Sequence, residues 1–207
     1  MSTWEKIKYV KHCVFHPFDG FYEAKNRGKG SVLAATLIIA FYCVLECIKV
    51  QYTGFIMNLN QITRMNSVTI FISALTVLLL AVISNWTITT LFDGKGKLKD
   101  IYMVLGYALL PVVLIDSIIV IASNFIIEEE AVILTALSWM GLVWAAFLIV
   151  TGLCTIHEFS LAKTLVTILA TLVAALIILF LLVLFISLVE QMVSFIYVFA
   201  KEFMRRI

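Results

Sequence analysis

Residues 85–92 read NWTITTLF, residues 93–100 read DGKGKLKD, and residues 101–111 read IYMVLGYALLP. A short hydrophilic segment, broken by Gly94 and Gly96, is clamped between two long apolar runs. Residues 67–92 carry no charge, and residues 101–124 carry one, at Asp116. Each run is long enough to cross a hydrocarbon core of about 30 Å, so the stretch predicts a transmembrane helical hairpin. The two glycines free the backbone to turn, and Lys95, Lys97 and Lys99 hold the turn in water. By the positive-inside bias they also mark it as cytoplasmic.

Composition agrees with that reading. The chain is 63% hydrophobic and 14% charged, with a mean hydropathy of +1.09. A soluble domain carries roughly 25% charged residues. The apolar excess is gathered into runs too long for buried soluble helices, which predicts an integral membrane protein. A formal charge of +2 gives no basic surface for a nucleic acid. The first thirty residues hold six Lys or Arg and no apolar segment, so the first span is expected to be an uncleaved anchor. Cys13, Cys43, Cys47 and Cys154 form no CxxC pair and imply no disulfide framework. Cys43 and Cys47, four apart, share a helix face and read as packing residues.

Taken outward from the hairpin, the pattern predicts an all-α membrane protein of five spans, at about 31–50, 67–92, 101–123, 131–154 and 164–189. Residues 1–30 form a cytoplasmic, interfacial segment, and 31–207 a single transmembrane domain. Within that segment, residues 1–16 read as an amphipathic surface helix with Trp4, Ile7, Val10, Val14 and Phe15 on one broad face. Lys11 falls on the same face and snorkels. Pro17 ends this helix, and residues 18–22 continue as an aromatic turn. Residues 51–66 are amidic (Asn58, Asn60, Gln61) with one cation, Arg64, and form the first outer loop. Residues 190–207 read as an amphipathic tail. Ten Lys and Arg fall on the amino-terminal segment and the 93–100 and 155–163 loops, against Arg64 and the span-end Lys49 opposite. The amino terminus is therefore expected in the cytoplasm and the carboxy terminus outside, in the cell membrane.

Ionisable groups inside a bilayer are functional candidates by default. Glu46 and Asp116 each lie about 15 residues into their spans, which places both roughly 23 Å from the inner surface. Lys49, one turn beyond Glu46, reaches either. The trio reads as a polar cluster for a cation, a proton or a lipid headgroup, or as carboxylates that pair with Lys49 or reach water. His12, Cys13, His16 and Asp19 are ligand types, but no second ligand pair follows at a recognised spacing, so no metal is expected. His157 and Glu158 read as an interface, because a catalytic dyad needs a nucleophile or metal that the sequence does not supply. The Gly-Lys clusters at 28–31 and 94–97 lack the P-loop pattern and read as basic flanks that meet anionic lipid. Trp86 reads as an interfacial anchor, Trp139 and Trp144 as packing, and Gly106 and Pro111 as a site of close helix approach and a kink.

The run from Gly106-Tyr107 to Pro111 resembles the Gly-Tyr-x-x-x-Pro signature of the Yip family, five-span membrane proteins named for interaction with Ypt/Rab GTPases. Asn85-Trp86 before the Gly/Lys turn, and residues 16–22 (HPFDGFY), look like the prokaryotic branch of that family. The resemblance covers about residues 15–190 and implies a five-span bundle with a cytoplasmic amino terminus. This chain does not show the long polar amino-terminal region of the eukaryotic branch, so GTPase binding is not carried over. Two functions follow as expectations. One is a non-enzymatic scaffold or adaptor without cofactors, whose partners are anionic membrane lipids and other membrane proteins or a second copy. The other is a small transport component that uses Glu46 and Asp116.

Overall fold

The computed structural model describes residues 3–58 and 66–206. Among them the chain is helical, without strands. Two short helices, α1 (Thr3–Phe15) and α2 (Pro17–Asn26), precede α3 (Val32–Tyr52) and α4 (Ser67–Leu91). The third span is divided into α5 (Leu98–Ala108) and α6 (Leu110–Ala122). A single 3₁₀ turn, Glu128–Glu130, leads into α7 (Ala131–His157), and α8 runs over Leu161–Arg206. Five of these segments, with α5 and α6 taken together, are long and apolar enough to cross a bilayer, as the sequence predicts. Asn60, Gln61 and Arg64 lie outside the described residues, as do the side chains of Trp4 and Ile7.

Local chemistry sets the helix ends. The Ser31 hydroxyl accepts the Ala34 N–H at 3.3 Å to cap α3, and the Asn66 side chain accepts the Val68 N–H at 2.9 Å to cap α4. At the start of α5 the Asp100 carboxylate accepts the Lys97 N–H at 2.9 Å. The 93–100 segment is thus a shorter loop than expected, because residues 98–100 already belong to the helix that Asp100 caps. Pro111 has no N–H to give, and the third span breaks at Leu109 where that bond is missing.

The core lies at the end of the bundle where α3 and α5 begin. Gly106 of α5 sits so close to α3 that an added Cβ would fall 2.7 Å from the Ala35 Cβ. Gly152 of α7 is as close to Val104, where an added Cβ would fall 2.5 Å from a valine methyl. Phe21 from α2 enters the same core and stacks on Tyr107 at 6.5 Å.

The amino-terminal segment is therefore part of the bundle. Val10, Cys13 and Val14 are buried against protein, while Phe15 is 60% exposed, so the interior face is narrower than the expected one. Residues 17–22 form helix rather than a turn. Pro17 occupies a first-turn position, where its missing N–H is no loss. Trp139 and Trp144 face outward rather than into the packing, since the small residues Gly141, Ala145 and Gly152 line the inner side of α7. Helix α8 continues without interruption through residues 190–206, where a separate tail was expected, and it packs chiefly against α4.

Candidate functional site

Glu46 and Lys49 stand one turn apart on α3, and Asp116 faces them from α6. Lys49 Nζ donates to Asp116 Oδ2 at 2.7 Å and to Glu46 Oε1 at 3.1 Å. The Asp116 side chain is 7% exposed, against 33% for Lys49. The two carboxylates expected to share a depth are joined by one ammonium. A cleft of about 250 Å³ opens beside them, walled by Thr53, Met57 and Asn58 of the following loop and by Ser138 of α7. The cleft belongs to the end of the bundle remote from the core. Below the trio, Ile39, Cys43 and Val112 are buried and apolar.

At the opposite end, Tyr107 is fully buried. Its hydroxyl accepts the Ser31 N–H at 2.7 Å and donates to the Ser31 carbonyl at 3.1 Å. The same side chain thus satisfies both backbone groups of the residue that caps α3. Asn85 is also buried and donates from Nδ2 to Thr171 Oγ1 at 3.1 Å, tying α4 to α8. Its neighbour Trp86 is 44% exposed.

The basic loop is only partly free. Lys95 pairs with Glu158, whose other neighbour is Lys25 at 3.8 Å. Lys25 also donates to the Ile156 carbonyl at 2.7 Å, a cation at the carboxy-terminal end of α7. The Lys95 hydrogen bond, followed by the charges of Lys95 and Lys25, holds the Glu158 carboxyl below its ordinary value. Lys97 and Lys99 are exposed.

Gly94 and Gly96 do not serve the turn by positive φ. That conformation falls on Asp93, at φ 58°, and on Glu158, at φ 57°. The glycines instead admit the His157 ring, since a Cβ on Gly96 would lie 2.8 Å from its Cε1. Gly96 N–H donates to His157 Nδ1 at 3.3 Å. Asp100, His157 and the Tyr107–Ser31 pair are structural centres that helix periodicity does not reveal. The two glycines flanking Lys95 were the signal for the histidine.

His12 of α1 and His16, between α1 and α2, stack at 5.0 Å, while Cys13 turns inward against Gly20. Burial pushes the Cys13 thiol up to about 12, so it stays protonated at neutral pH.

The residues with a structural role in this geometry, Asn85, Gly106, Tyr107 and Pro111, fall within one matched segment. The family model described as the Yip1 domain matches residues 11–185. The chain belongs to the Yip1 domain family. No curated protein and no solved structure gave a significant match. The match takes in the end of α1, from Lys11, and the whole of α2. It ends within α8, at residue 185.

Proposed function

We propose that this Yip1 domain is a non-enzymatic scaffold or adaptor that gathers other membrane proteins, or a second copy of itself, and organises the lipid around it. The observation that carries this reading is the state of the buried charges. Lys49 already answers both Glu46 and Asp116, and the helices beneath them close on apolar residues. A pathway for a proton or cation needs carboxylates that exchange partners along a polar route. The trio opens into that cleft, and Glu46 also borders a second one walled by Tyr42, Ile70, Ser73 and Leu78; no residue of the core at the other end lines either.

An adaptor also needs unspent surface within the membrane. Every described side chain of α8 from Leu179 to Phe199 is exposed, and nearly all are apolar. The distribution of Lys and Arg supports a cytoplasmic amino terminus and an outward carboxy terminus, and residues 16–22 and 85–86 support a prokaryotic plasma membrane.

The test uses proteoliposomes and native membranes together. Glu46→Gln with Asp116→Asn should leave the photo-cross-linked protein neighbours of the chain unchanged, and the unaltered chain should add no proton or cation flux to empty vesicles. A flux that the amide substitutions abolish would overturn the scaffold reading in favour of transport.

A further inference from the structure

We propose that α1, packed beside the break between α5 and α6, forms a binding site for one two-chain anionic phospholipid. Its phosphate rests on Lys11, and its acyl chains occupy two apolar grooves that diverge from that lysine.

Lys11 is exposed, although its neighbours Val10 and Val14 are buried against the bundle. Its ammonium makes no hydrogen bond or ion pair among the described residues. On one side its stem borders a groove of about 690 Å³, walled by Phe15, Leu110, Leu114, Met140 and Trp144. On the other side it borders a second groove of about 400 Å³, floored by Leu37, Ile38 and again Leu110. Both walls are apolar. A third recess brings Lys8, His12 and His16 beside Lys11, so the basic groups gather where the two grooves meet.

The direction of the grooves decides the class of ligand. Tyr107 is held to Ser31, so residue 107 of α5 and the start of α3 share one level of the bundle. From there α6 climbs through Leu110 to Leu114, and α3 climbs through Ala34 to Ile38, toward the end that holds Lys49. Both grooves therefore leave Lys11 in the direction of the bilayer interior. A headgroup at that lysine sends both chains toward the midplane, as a phospholipid of that leaflet requires. Phe15 and Trp144 meet edge to face at 6.5 Å and link α1 to α7 across the larger groove. Pro111 lies in the wall of that groove, at the break between α5 and α6.

An anionic headgroup is favoured over a zwitterionic one by the lysine, which pairs with no carboxylate among the described residues. This site is distinct from the Glu46–Lys49–Asp116 trio. It stands whether or not the scaffold reading does, because its test reads bound lipid and not protein neighbours.

Native mass spectrometry of the full chain, purified in mild detergent and given equal phosphatidylglycerol and phosphatidylcholine, tests it. One phosphatidylglycerol should be retained per chain, in preference to phosphatidylcholine. Lys11→Glu should weaken that retention roughly tenfold or more, the effect of reversing one charge at an anionic surface. Leu114→Trp, which fills the larger groove and leaves Lys11 in place, should weaken it as well. Both side chains are exposed, so melting temperatures should stay close to that of the parent. Should Lys11→Glu fail to fold, Lys11→Gln supplies the same reading with a smaller loss. Equal retention of the two lipids would overturn the proposal. So would undiminished retention by the Lys11 variant, or displacement of the lipid by chain-free glycerol phosphate, which would mark a plain anion site.

Discussion

The Tyr107 hydroxyl makes two bonds to one residue, whose carbonyl also accepts the Ala35 N–H at 3.2 Å. Tyr107→Phe keeps the ring against Phe21 and leaves the Ser31 N–H and carbonyl buried without that partner. The expected cost is about 1–3 kcal/mol, read as a lower melting temperature in detergent. The Lys49 pair obeys a different rule. Lys49→Met strands Asp116, which is almost wholly buried, and breaking such a pair costs about 3–5 kcal/mol. Adding Asp116→Leu should recover most of that loss, because the desolvated charge is then gone. A double variant no more stable than Lys49→Met would show that the pair is not what holds α3 to α6.

Glu158 adds a pH dependence at the other end. Its carboxyl is depressed below the ordinary value of 4.5, first by the Lys95 hydrogen bond. Its contribution is therefore fully present above pH 4.5 and fades as pH falls through the lower folded value. Glu158→Gln should flatten stability over that acidic window, lowering it at neutral pH and leaving it unchanged in acid, where the parent carboxyl is itself neutral.

Helix α8 raises the question of length. Its 46 residues rise about 69 Å, against a hydrocarbon core of about 30 Å. A tilt at the upper limit of about 40° lengthens the path only to about 39 Å. The far part of α8 must therefore lie beyond the core or be covered by something other than this chain. Truncation after Glu190 should leave insertion intact and stability within about 0.5 kcal/mol, because the described side chains it removes are exposed. A large drop in melting temperature would mean that this segment folds back on the bundle. Helix α1 is the opposite case. Its apolar positions look like a membrane-facing stripe, yet Val10, Cys13 and Val14 meet protein. Gly20 makes that possible by letting α2 approach Cys13, which a Cβ would meet at 3.2 Å from its own Cβ.

Over the whole molecule, the proposed orientation predicts which surfaces a reagent can reach. In a cysteine-free background, Glu129→Cys should react with an impermeant maleimide in intact cells, and Lys97→Cys only after the membrane is opened. Both positions are exposed, so failure to react reports sidedness and not burial. The reverse pattern would invert the bundle and, with it, the leaflet that faces Lys11.

The span count, the hairpin and the common depth of Glu46 and Asp116 were legible in the sequence, because bilayer thickness turns each into a matter of run length and helix rise. Asn85, Gly106, Tyr107 and Pro111 could be picked out as a motif, but their tasks could not. Tyr107 meets Ser31 across 76 positions, and His157 meets Gly96 across 61; periodicity within a helix says nothing about which distant backbone a side chain will satisfy. The same holds for α1, whose stripe has one pattern whether lipid or protein covers it. Only packing decided between them, since an apolar face is buried by whichever surface lies closest and matches its shape.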